Sequence, residues 1–228
     1  MGLLRMAWFR ASVVVTACLL AGCAALPKST VMFQHTPLLS KGTIPLKAGI
    51  MTLTDDRPKD EQKALRNVSA VSDQVTAVLL KDFKDANLFQ QLQLVSDSKD
   101  VDVLLRGSVR SFYWRSSWNF ILFVPYVSLV TLFGVPVGKN VGRVAVALDV
   151  VDPKTNQVIA TYVKASGDER DYSIYQAQEY RAAGGEETGN AFRTVADQLQ
   201  AAILADRDRI TQAALPSQAT TASLPTKP

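Results

Sequence analysis

The tetrapeptide Leu20-Ala21-Gly22-Cys23 holds the most telling candidate for chemistry in this chain, a thiol placed directly after three small or aliphatic residues. Two positive charges, Arg5 and Arg10, and an apolar run from Ala11 to Leu20 precede it. That order is the plan of an export leader, except that an ordinary leader ends at an A-x-A site rather than at a cysteine. The apolar run is short for a membrane span, which needs about 20 residues. Residues 1–22 therefore read as an export leader.

Other reactive residues are sparse. His35 is the only histidine, and it falls in a segment that reads as a tether, so a Ser–His–acid triad has no base in the folded body. Cys18 lies inside the leader, which leaves Cys23 as the one cysteine of the processed chain and rules out a disulfide within it. No CxxC, HExxH, GxxxxGK[ST] or GxGxxG is present, and zinc would lack its usual nitrogen and sulfur ligands. Carboxylates cluster at Asp55, Asp56, Asp60 and Glu61, and again at Asp168, Glu169 and Asp171. A glycosidase needs two carboxylates at a fixed separation across a cleft, and nothing in the pattern indicates one. No catalytic residue, metal site or cofactor is expected, and the chain reads as non-enzymatic.

Residues 20–23 resemble the lipobox of bacterial lipoproteins. The resemblance implies that the Cys23 thiol takes a diacylglycerol, that the leader is cut before it, and that its new amino group is acylated. One acyl chain holds a protein only marginally on a membrane, whereas two or more anchor it stably. In that family an aspartate after the cysteine retains the protein in the inner membrane. Ala24 and Ala25 follow here, which implies the outer membrane, with the body in the periplasm.

Removing Arg5 and Arg10 with the leader leaves 23 basic against 21 acidic side chains. So small an excess does not suggest a nucleic-acid partner. The 206 residues after the leader suffice for one domain with a real core. Residues 23–42 read as the lipidated cysteine and tether, 43–210 as the body, and 211–228, rich in Ala, Thr, Ser and Pro, as a disordered tail.

Thr43–Asp55 carries Ile44, Leu46, Ala48, Ile50 and Thr52 at alternate positions, a strand signal. Ser72 suits the N-cap of a helix through Leu88, with Val75, Val78, Leu79, Phe83 and Ala86 on one face. Gln91–Val95, Val101–Trp114 and Gly142–Val151 read as strands. Asp152-Pro153-Lys154-Thr155-Asn156 supplies turn chemistry before a return strand over Gln157–Ser166. Thr188 or Asn190 suits the cap of a last helix to about Ile210. The order predicts an α+β layer fold, with a mixed or antiparallel sheet of four to five strands and two helices on one face.

Residues 116–138 form an apolar insert without a single charge. Pro125 and Pro136, with Gly134 and Gly138, oppose a membrane-spanning helix, and β-branched and aromatic residues favour strands. Three readings stand: a buried hairpin, an apolar arm that contacts a partner, or a hairpin that enters the membrane. Uncharged apolar surface of this extent marks interfaces. Trp118, Phe120, Phe123, Tyr126, Leu129, Leu132 and Phe133 are the candidate contact residues.

Two motifs carry a broader resemblance. Asp102-Val103-Leu104-Leu105-Arg106-Gly107-Ser108-Val109 and the hairpin around Asp152-Pro153-Lys154-Thr155-Asn156 resemble elements of the curli-secretion lipoprotein, the TolB amino-terminal domain and YajG-like lipoproteins. The auxiliary lipoproteins of lipid-transport ABC systems share the element order. The resemblance covers residues 43–210 and implies a domain that works by assembly, often in rings, with protein partners or further copies of itself. It carries over no binding residue. The alternatives are an accessory that binds lipid or another apolar ligand in transport, and a secretion-channel subunit. Phe120–Leu132 lacks the apolar–polar alternation of a channel strand.

Overall fold

The computed structural model describes residues 42–64, 70–97, 100–118, 133–173 and 185–214. The leader, Cys23, the tether up to residue 41 and residues 119–132 of the insert lie outside them.

Among the described residues, six strands and four helices make an α+β fold, one strand more than the upper end of the expected range and two helices more than expected. The strands are β1 (Ile44–Ile50), β2 (Thr54–Asp55), β3 (Phe89–Leu94), β4 (Val103–Trp118), β5 (Gly138–Val151) and β6 (Val158–Tyr172). The helices are α1 (Lys59–Ala64), α2 (Val71–Asp85), α3 (Glu186–Ala205) and α4 (Arg207–Ala214). The sheet order is β3-β1-β4-β5-β6, and β2 pairs with β4 beyond the end of β1. β1 runs parallel to β3 and β4, while β4, β5 and β6 form an antiparallel meander. The sheet is therefore mixed.

One core joins the inner sheet face to the long helices. Ile44, Leu46 and Ile50 of β1, Leu105 of β4, Val146 and Leu148 of β5, Leu79 and Phe83 of α2, and Phe192, Val195 and Leu199 of α3 are all buried in it. The even-numbered positions of β5 face inwards, and exposed Arg143 points the other way. Such alternation is what leaves one sheet face wet. The short helices are the unexpected elements. The boundary expected at Ile210 falls inside α4, because the stripe of Ile203, Ile210 and Ala214 continues past a break at Asp206. Tyr162 of β6 donates to Asp206 Oδ2 at 2.9 Å and ties that break to the sheet. Burial and the Asp206 carboxylate hold the Tyr162 hydroxyl protonated well above the usual phenol range.

Neither predicted side-chain cap forms. Residue Ala70 opens α2 in a left-handed conformation, and Ser72 sits within the helix, where its carbonyl accepts from Thr76 Oγ1 at 2.6 Å. Thr76 Oγ1 also accepts the Leu53 N–H at 3.0 Å, which fastens the β1–β2 link to α2. Gly185 opens α3, and exposed Glu186 in its first turn favours the helix dipole in place of a side-chain cap.

The alternation expected along β4 holds only to Val109. The register shifts between Val109 and Ser111, a bulge that turns the next residues over. Phe112, rather than an odd-numbered residue, is then the buried side chain. The β5–β6 hairpin matches its turn chemistry. Asp152 accepts from the Lys154 N–H and the Thr155 hydroxyl at 2.9 and 2.7 Å, which holds its carboxyl below the usual range. Asn156 takes the left-handed conformation at φ 57°.

Candidate interaction surface

β4 and β5 outrun the rest of the sheet. β1 pairs with β4 only at Val103–Leu105 and β2 only at Ser108–Val109, whereas β4 pairs with β5 as far as Trp118 and Gly138. β6 accompanies them to Tyr172. The result is a three-stranded arm, longer than sequence reading allowed because β5 was expected to begin at Gly142 and β6 to end at Ser166.

Trp118 and Tyr172 meet at the tip, edge to face, with ring centroids 6.2 Å apart. Such geometry is favoured between aromatic quadrupoles. The Tyr172 hydroxyl donates to the Ser117 carbonyl at 3.3 Å and lies 3.1 Å from Ser116 Oγ. Gly138 makes room for this ring, because a Cβ there would lie 2.3 Å from the Tyr172 hydroxyl. Below the ring, Val137 is fully buried and its N–H bonds to the Tyr172 carbonyl. Outside it, Trp118 is 43% exposed and Phe133 87% exposed. Val135 is also exposed. Large apolar side chains gathered at one exposed tip are the kind of patch that marks an interface. Sequence reading identified Trp118 and Phe133 but missed Tyr172, Val135 and the Gly138 clearance. Phe120, Phe123, Tyr126, Leu129 and Leu132 lie outside the described residues, as do Gly22 and Cys23.

The tip is at the opposite end of the molecule from the point where the chain enters. Gly42 precedes β1, whose Ala48 already pairs with the first residue of β4. β4 then runs 16 residues to Trp118, on the order of 50 Å at about 3.3 Å per residue. The β5–β6 turn and α4 crowd the Gly42 end, where a Gly42 Cβ would lie 3.2 Å from Arg207 Nη1.

Four of the clustered carboxylates, Asp55, Glu61, Asp168 and Glu169, are engaged in scaffolding. Arg57 holds Asp55 through two bonds of 2.8 and 2.7 Å and reaches the Phe112 carbonyl at 3.4 Å. The guanidinium keeps the Asp55 carboxyl below the usual range. Glu61 accepts from the Ser111 hydroxyl and from the Phe112 N–H at 3.1 Å. Together they close the β4 edge just past the bulge, where an open edge would otherwise recruit foreign strands. In the second cluster, Asp168 accepts from Asn190 at 2.9 Å and Glu169 pairs with Lys139 at 2.5 Å. No group of three potential metal ligands occurs among the described residues. No described helix is long and apolar enough to cross a membrane.

The outer sheet face bears an open trough of about 320 Å³ lined by Ser111, Arg143, Ala145, Ala165 and Gly167 among others. Mostly small side chains line it, with Arg143 the one charged residue, and it is open to solvent rather than enclosed.

No family model matches the chain, and no curated protein matches it. The fold is similar to the crystal structure of a Xanthomonas campestris protein of family model DUF330, at 11% identity, covering 79% of this chain and 96% of that one, with a TM-score of 0.52. Dodecameric PelC from Paraburkholderia phytofirmans is similar at 12% identity over 69% and 88%, with a TM-score of 0.38. A minor lipoprotein from Acinetobacter baumannii is similar at 15% identity over 71% and 94%, with a TM-score of 0.37. The Xanthomonas protein and this chain share one α+β fold.

Proposed function

We propose that this chain is a non-enzymatic lipoprotein of the bacterial envelope that works as an assembly component, docking a protein partner through the tip of its β arm. The observation that carries the reading is the placement of Trp118 at the end of β4 opposite Gly42, with exposed Phe133 and Val135 in the segment leading into β5 beside it. Acyl chains on Cys23 would hold the Gly42 end towards the outer membrane, so the apolar tip would project away from it into the periplasm. A tether of 19 residues reaches at most roughly 65 Å at about 3.4 Å per residue. It limits how far from the membrane the tip works. The carboxylate clusters support the same reading, because Asp55, Glu61, Asp168 and Glu169 all close structural contacts.

Exchange of Cys23 for Ser tests the anchor. The variant should leave the membrane fraction; a leader-free Cys23→Ser protein that stays on the outer membrane would contradict lipid as the anchor. Deletion of Asn119–Val135 tests the arm. A folded body that no longer captures its partner supports docking, whereas global unfolding seen by circular dichroism would make the segment part of the core.

A further inference from the structure

The inner face of β5 is bare near its start, with Gly138, Asn140 and Gly142 at successive inward positions. Gly142 admits the first turn of α3. A Cβ there would lie 2.3 Å from the Thr188 nitrogen and 2.4 Å from the Glu187 carbonyl carbon. This close approach buries two polar side chains between helix and arm: Glu187 is 2% exposed and Asn140 1%. The Asn140 amide lies within reach of the Glu187 carboxyl, but no bond of good geometry satisfies Glu187 Oε1 or either amide atom of Asn140. Buried polar atoms left in this state are rare in folded proteins and keep their full desolvation penalty.

Among the described residues, Glu186 and Asp168 are the charges that act on Glu187, and both disfavour its ionisation. Glu186 precedes it and turns outward to Arg170 of β6 at 3.3 Å. Asp168 of β6 lies near and is held by Asn190 of α3 at 2.9 Å. On β5, Lys139 is paired with Glu169, and Arg143 is exposed on the opposite sheet face. From β4, the Tyr113 carbonyl accepts from the Thr188 hydroxyl at 3.4 Å. Burial pushes the Glu187 carboxyl up, its own N–H and the Asn140 amide pull it down less, and Glu186 and Asp168 push it further up. A protonated Glu187 carries an O–H that the Asn140 carbonyl can accept, whereas the carboxylate offers only acceptors.

We propose that Glu187 and Asn140 form a proton-operated latch between α3 and the β arm: neutral Glu187 seats the first turn of α3 on Gly142, and ionised Glu187 lifts it. The seat is then complete below the ordinary carboxyl range and is lost as pH rises through the higher value of the folded state. The latch adjoins the Trp118–Tyr172 tip, so it sets the rigidity of that end whatever docks there.

Hydrogen–deuterium exchange of the full chain in detergent micelles, corrected for intrinsic rates, tests the latch between about pH 4 and pH 8. In the unaltered protein, protection over Gly138–Val144 and Glu186–Phe192 should fall with rising pH, by up to about tenfold per unit for one proton released. Glu187→Gln should flatten the profile, and Glu186→Gln, which removes one neighbouring negative charge, should keep the fall in protection but move it to lower pH. A flat profile in the unaltered protein, or a Glu187→Gln profile that follows it, would overturn the proposal.

Discussion

Gly142 of β5 and Thr188 of α3 are in backbone contact, so close that a single added methyl would overlap the Thr188 nitrogen at 2.3 Å. This contact fixes the angle at which α3 crosses the arm and so holds the arm to the core. The clash is with backbone, which cannot swing aside. Gly142→Ala should therefore cost about 1–3 kcal/mol, read as a lower urea midpoint with the same folded circular dichroism spectrum.

The edge closure at Phe112 gives a second expectation. Arg57 is 7% exposed, and Asp55→Asn would leave it without its charged partner. The Asp55 side chain is a third exposed, so solvent screens the pair and the loss should be about 1 kcal/mol. Because the folded carboxyl lies below its ordinary value, the contribution is present above that ordinary value and vanishes as pH falls through the folded one. Urea unfolding at neutral pH and in strong acid should separate Asp55→Asn from the unaltered protein in the first case only.

Tyr162→Phe isolates one hydrogen bond. It leaves Asp206 Oδ2 without a donor at the α3–α4 break and should cost about 1–2 kcal/mol. Thermal unfolding checks this. Because phenol ionisation lies above the working range, the cost should not vary between neutral and mildly alkaline pH.

Asn156 tests the hairpin. Its φ of 57° suits Gly or Asn and strains other side chains. Asn156→Ala should cost about 1–2 kcal/mol and also remove the 3.0 Å bond from Arg106 to Asn156 Oδ1. Urea titration of Asn156→Ala beside Asn156→Gly separates the two effects, since glycine removes the bond without the strain.

Those residues also show what could be seen before any fold was known. The hairpin at Asp152–Asn156 was legible because its bonds are local. The strand period of β1 and the helical stripes of α2 and α3 were legible for the same reason. The bulge after Val109 was not, since it follows from the Arg57–Glu61 segment closing on Phe112 about fifty residues away in sequence. Both helix caps were misplaced: Ser72 falls inside α2, where its carbonyl accepts from Thr76, and the Thr188 and Asn190 side chains donate to Tyr113 and Asp168 instead. At the tip, Trp118 and Phe133 stood out by their uncharged surroundings. Tyr172 did not, because its role depends on the register that sets it opposite Gly138.

A photo-crosslinking residue placed at Phe133, compared with one at Asn156 at the far end, tests the docking tip most directly. The account predicts that the Phe133 position captures a discrete protein in cells and that the Asn156 position does not. Capture of lipid alone at Phe133, or of the same protein equally from Asn156, would contradict it.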